Sequence, residues 1–132
     1  MSLKFYAMLF ITVLLFGSCK KDSATEPEVA TIINITSPAT LAIYLNGSNL
    51  TIEGDMSDDN VLSQARVEIR NKSTNAILFQ QASSTGNVGF YRFLWNWTIT
   101  GITTTTMATV KVIAKDKLSN EVSKEVDITL DN

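Results

Sequence analysis

Cys19 is the only cysteine in the chain, and there is no histidine. Those two facts narrow the available chemistry. Without histidine there is no Ser-His-Asp or Cys-His relay and no imidazole to hold zinc. A single cysteine forms no internal disulfide and no Cys-x-x-Cys site. No glycine-rich phosphate loop occurs. What remains is one thiol, a set of carboxylates and a row of aromatic rings. Asp55, Asp58 and Asp59 crowd one turn, and Asp116 stands in another. Oxygen-rich loops attract hard cations, so these four could bind Ca²⁺. Their spacing is not that of an EF-hand, and turn-capping Asp accounts for the same residues more simply. Tyr91, Phe93, Trp95 and Trp97 share one face of an alternating segment. Exposed rings of this kind stack on sugars, whereas inward rings fill a core. Phe93 and Trp97 are expected inside. Tyr91, near the start of the segment, and Phe90, on its opposite face, are the candidate ligand-binding residues.

The surroundings of Cys19 explain its thiol. Met1-Ser2-Leu3-Lys4 is a short basic start, residues 5–16 are an apolar run broken only by Thr12, and Gly17-Ser18 precede the cysteine. That is the layout of a secretory signal, too short to be a spanning helix of about 20 apolar residues. Residues 16–19, Phe-Gly-Ser-Cys, resemble the lipobox of bacterial lipoproteins, and the Ser-Cys-Lys-Lys-Asp start is similar to Bacteroidetes-type members. The resemblance implies diacylation of the Cys19 thiol through a thioether, removal of residues 1–18 and fatty acyl (palmitate-like) chains on the new N-terminus. Two or three chains anchor stably where one is marginal. Residues 19–28 then form the lipidated cysteine and a polar tether, whose nine residues after Cys19 reach at most ~30 Å. Lys20-Lys21-Asp22 resembles an export signal to the outer face of the outer membrane. Asp22-Ser23-Ala24 resembles the O-glycosylation triplet of the same bacteria. The expected location is therefore the outer membrane, facing the periplasm or the cell exterior.

Residues 29–132 must form the folded body, and at 132 residues in all the chain holds one ordinary domain. Apolar and polar residues alternate with period 2 in seven short segments. These are centred on Ile33, Ile52, Val67, Ile77, Trp95, Val112 and Ile128. Turn-forming residues fall between them at 46–48, 57–60, 71–73, 83–87 and 117–120. Seven strands at about ten-residue spacing predict an antiparallel β-sandwich. The segments Leu-Thr-Ile-Glu-Gly-Asp (50–55) and Ala-Lys-Asp-Lys-Leu-Ser-Asn (114–120) resemble bacterial Ig-like modules. There Ser119 replaces the usual turn glycine. The resemblance implies a seven-stranded Ig-like all-β fold and no particular activity.

Lys and Arg total 11 against 13 Asp and Glu. So balanced a charge does not supply the basic surface that phosphate backbones require, and no nucleic-acid partner is expected. With no activated nucleophile or acid/base pair singled out by spacing, no enzyme and no cofactor beyond the lipid are expected. The leading expectation is a lipid-anchored module that contacts another envelope protein by loops or by a free strand edge, such as the first strand at residues 32–36. A carbohydrate-binding surface lipoprotein and a Ca²⁺-stiffened spacer are the alternatives. Leu94 and Ile113 interrupt otherwise polar strand faces and are candidates for a surface patch.

Overall fold

The computed structural model describes residues 30–132. The signal segment, Cys19, Ser23 and the tether lie outside them. Six strands form the body: β1 Ile32–Ser37, β2 Ile43–Leu45, β3 Asn49–Asn71, β4 Ile77–Thr98, β5 Thr106–Asp116 and β6 Glu121–Asp131. The described residues contain no helix.

β3 and β4 are 23 and 22 residues long, and this is where the structure departs from the expected seven strands. The turn-forming residues at 57–60 and 83–87 do not reverse the chain. They bend it while the β3–β4 ladder runs on. The ladder loses regular register between Ser57 and Leu62 and again before Gln64. Val61, Gly86 and Asn87 take positive φ there, at 70°, 74° and 61°. The bend divides each long strand into two lengths, one in each layer.

One layer holds β1, residues 49–57 of β3 and residues 90–98 of β4. The other holds residues 77–88 of β4, residues 62–71 of β3, then β5, β6 and β2. All pairings are antiparallel except β2 with β6. The chain passes from the first layer to the second after β1, at the cis Ser37-Pro38 bond. β2 was not legible as a strand, since three residues offer no periodicity.

Irregular register has a measurable effect on side-chain direction. Leu50, Ile52 and Met56 point inward in the first half of β3, but Ala65, Val67 and Ile69 do so in the second. Inward positions switch from even to odd numbers across residues 62–64, as an inserted residue requires. The bent backbone is satisfied locally. Thr85 Oγ1 donates to the Leu62 carbonyl at 2.6 Å, Ser63 Oγ to the Asp116 carbonyl at 2.8 Å, and the Lys117 amide to the Val61 carbonyl at 3.0 Å.

Between the layers lies a single core containing Leu50, Ile52, Phe93, Trp95, Val67, Val110, Ile128 and Leu130. The aromatic row of β4 spans it. Phe93 and Trp95 stack at 4.9 Å. Trp97 stacks on Phe79, from the other layer, at 5.7 Å, and the Trp95 indole N–H donates to Ser83 Oγ at 3.2 Å. Stacked rings and a satisfied indole make this row worth more than its buried area alone.

Gly54 stands opposite Phe93 in the ladder, and Phe93 occupies the space a side chain would need. A Cβ built on Gly54 would lie 2.0 Å from the Asn34 carbonyl oxygen of β1 and 2.6 Å from the Phe93 ring. The carbonyl belongs to backbone and has little room to give. Gly54→Ala is therefore expected to destabilise the domain by about 1–3 kcal/mol or more, read as a lower urea midpoint with unchanged slope. An unchanged midpoint would show that β1 moves aside freely.

Candidate functional site

The four aspartates do not assemble. Among the described residues, no three or more Asp, Glu, His or Cys side chains gather to hold a metal ion. Register is the reason. Asp55 lies on the outer face of the first layer, where Asn34 Nδ2 donates to its Oδ1 at 3.0 Å. Asp58 is buried, accepts the Asn60 amide on Oδ1 at 2.6 Å and takes a short hydrogen bond from the Thr31 hydroxyl on Oδ2. Asp59 is exposed. Asp116 is buried and caps its own turn, accepting the Asn120 amide and the Asn120 side-chain amide at 2.8 Å each. Ser119 adopts φ 71° in that turn, doing the work of the glycine it replaces. Asp58 and Asp116 thus close their own turns, as turn-capping Asp would, and the four carboxylates stand apart.

Phe90 and Tyr91 part company. Tyr91 is half-buried and packs against the core, in line with Phe93 and Trp95. Phe90 points outward and is 54% exposed. It stands in one row with Ser57 and the exposed Ile32. The next row is Asn34, Asp55 and Arg92. A shallow depression beyond it is lined by Thr36, Glu53, Asp55, Arg92 and Leu94. Leu94 is exposed, as a polar-face interruption suggests, whereas Ile113 is buried on the outer face of the second layer between Arg66 and Ser123. The Arg66, Glu68 and Arg70 side chains next to it form an ion-paired strip, with Glu68 itself buried.

An exposed apolar row along β2 was not legible in the sequence. Leu41, Ile43 and Leu45 alternate along β2 and its approach, and each is more than half exposed. Ile43 pairs with Thr129, which pairs with Met107, itself 46% exposed. The outward row of β6, Asp127, Thr129 and Asp131, lies between the β2 residues and Met107 and is polar. Lys72 Nζ meets Asp127 Oδ2 at 2.6 Å, Thr109 donates to Asp127 Oδ1 at 2.8 Å, and Thr105 donates to Asp131 at 2.6 Å. β2 ends the strand order, so its outer edge is unpaired. Among the described residues, the outer edge of β1 and the length of β4, which pairs only with β3, are also open. β4 carries one charged residue, Arg92, and no proline. Edges are usually guarded more heavily than this.

Comparison with known proteins bears on the fold. No protein-family model matches the sequence, and no curated protein does so significantly. Solved structures do. The fibronectin(III)-like modules of CbhA from Clostridium thermocellum are 14% identical to this chain and superpose with a TM-score of 0.50. That match covers 76% of this chain and 96% of the module. The fold is an Ig/fibronectin-III-like β-sandwich. CopC from Methylosinus trichosporium OB3b is 11% identical, covers 77% of this chain and 94% of its own, and has a TM-score of 0.48. Murine CRIg is 12% identical over 77% of this chain and 97% of its own, with a TM-score of 0.42.

Two carboxyls sit below the usual range. Burial alone would raise Asp116, but donors from Asn120, Leu118 and Ser119 outweigh it and lower its pKa. Asp127 is lowered by the Lys72 and Thr109 hydrogen bonds against a smaller opposing effect of burial. A depressed carboxyl contributes stability that is present above its unfolded pKa of about 3.9 and is lost as pH falls through the folded value. The urea midpoint is therefore expected to fall on acidification below about pH 4. Asp116→Asn is expected to begin lower and fall less. Parallel curves for the two proteins would remove Asp116 from the account.

Proposed function

We propose that the protein is a cell-envelope lipoprotein, anchored through acylated Cys19, whose sandwich is a non-catalytic module that docks another envelope protein. The observation that carries the docking is the exposed apolar row of Leu41, Ile43 and Leu45 on an open strand edge. The polar outward row of β6, Asp127, Thr129 and Asp131, flanks it on the inner side, and an open edge with alternating apolar side chains is what strand-addition docking uses. The apolar row also lies at the end of the sandwich away from residue 30. β1 runs away from its first residue, and β2 joins the last three residues of β6. A tethered module would thus carry its docking surface away from the membrane.

Glycan binding draws less support. A sugar platform needs open rings, and of the two candidates only Phe90 is open. The Ca²⁺-stiffened spacer has no assembled site among the described residues.

Both halves of the proposal have direct tests. Cys19→Ala is expected to leave the membrane fraction and lose its acyl mass; a lipid-modified, membrane-bound variant would sink the anchoring. A photo-reactive residue in place of Ile43 is expected to give one discrete cross-linked adduct in the native envelope. Leu45→Lys should abolish that adduct while changing stability by no more than about 0.5 kcal/mol, as exposed substitutions do. If no adduct forms at Ile43, the patch is not a docking surface.

A further inference from the structure

The end of the sandwich that receives the tether is built from four stretches. Ile32 pairs with Ser57, and Ser57 with Phe90. Leu62 pairs with both Val88 and Asp116. The Lys117 amide donates to the Val61 carbonyl at 3.0 Å, which fixes the β5–β6 turn beside the bend in β3. The Thr31 hydroxyl bonds to Asp58 in the same bend, so the chain enters the domain at this end and is pinned there.

Apolar side chains project from it. Leu118, at the tip of the β5–β6 turn, is 69% exposed, the highest value among the large exposed apolar residues described. Ile32 and Phe90 are about half exposed, and Val88 is 39% exposed. Next to Leu118 stands Lys117, also exposed, and Asp59 is the exposed carboxylate of the bend. A hairpin tip is the position where an isolated leucine has the least chance of being covered by its own domain.

We infer that this end rests on the lipid surface, with Leu118 and Phe90 entering the headgroup region. The inference rests on acylation of Cys19, the reading proposed above. Between Cys19 and residue 30 lie ten residues, which reach at most about 36 Å fully extended. Within that reach the receiving end is the part of the domain held closest to the membrane. Confinement of this kind raises its effective concentration at the surface, so even a weak surface affinity is realised. Shallow insertion of about 5–10 Å is what a few exposed apolar side chains on a polar frame can achieve.

The test uses the full lipidated chain. Acylation occupies Cys19, so an introduced cysteine is the only free thiol. Leu118→Cys, Phe90→Cys and, in the turn at the opposite end, Asn46→Cys would each carry an environment-sensitive fluorophore. The proteins would be placed in phosphatidylethanolamine–phosphatidylglycerol vesicles and quenched by nitroxide-bearing lipid and, separately, by aqueous iodide. The expected result is strong lipid-phase quenching and iodide protection at positions 118 and 90, with the reverse at 46. Flotation with the vesicles but equal quenching at all three positions would overturn the inference and leave the anchoring standing. Iodide protection at 118 and 90 without lipid-phase quenching would also overturn it, pointing to self-association. Failure to float at all would overturn the anchoring and the inference together.

Discussion

The aromatic row of β4 joins the two layers. Phe93, Trp95 and Trp97 hang from a strand in one layer, yet Trp95 reaches Ser83 and Trp97 stacks on Phe79, both earlier in the same strand and in the other layer. That contact exists only because β4 bends on itself by way of residues 83–89. Everything else is arranged to permit the bend. Residue parity shifts in β3, hydroxyls of Ser63 and Thr85 take up carbonyls at the corner, and Gly54 vacates the space that Phe93 fills. Large rings bury more area per residue than any other side chain, so a small domain with no internal disulfide concentrates its cohesion where they meet.

The faces of the strands were legible in the sequence because alternation is a direct imprint of burial. Ile52, Val67, Phe93 and Val112 all point inward, as their spacing implies. Strand limits were less legible. Ser57-Asp58-Asp59-Asn60 has the composition of a turn, and Ser, Asp and Asn suit a bend as well as a reversal. Composition reports that the backbone departs from extended geometry; only pairing decides whether the chain then turns back. For the same reason the aspartates looked like one group. Asp55 and Asp58 are three apart on a strand, so they face opposite sides. The exposed row of Leu41, Ile43 and Leu45 escaped notice because a three-residue strand is too short for its alternation to show which face is buried, and Met107 meets it only across Thr129 of β6.

The two ends of the sandwich differ in construction. One end is a knot of local hydrogen bonds around Asp58, Ser63, Thr85 and Asp116. The other carries an open strand edge with apolar side chains. In the reading proposed above, the rigid end stands near the anchor and the open edge away from it. That arrangement asks little of the chain chemically, which fits a sequence without histidine.

β1 gives this arrangement a mechanical side. It is the first described strand and, among the described residues, is bonded along one edge only, to β3. β2 follows β1 directly in the chain, so tension between residue 30 and the β2 edge would run along the covalent backbone of residues 30–45. The β1–β3 ladder, with the Thr36 and Ser37 hydroxyl bonds to the Glu53 and Thr51 carbonyls, would then hold the rest of the sandwich to that taut segment without itself carrying the pull.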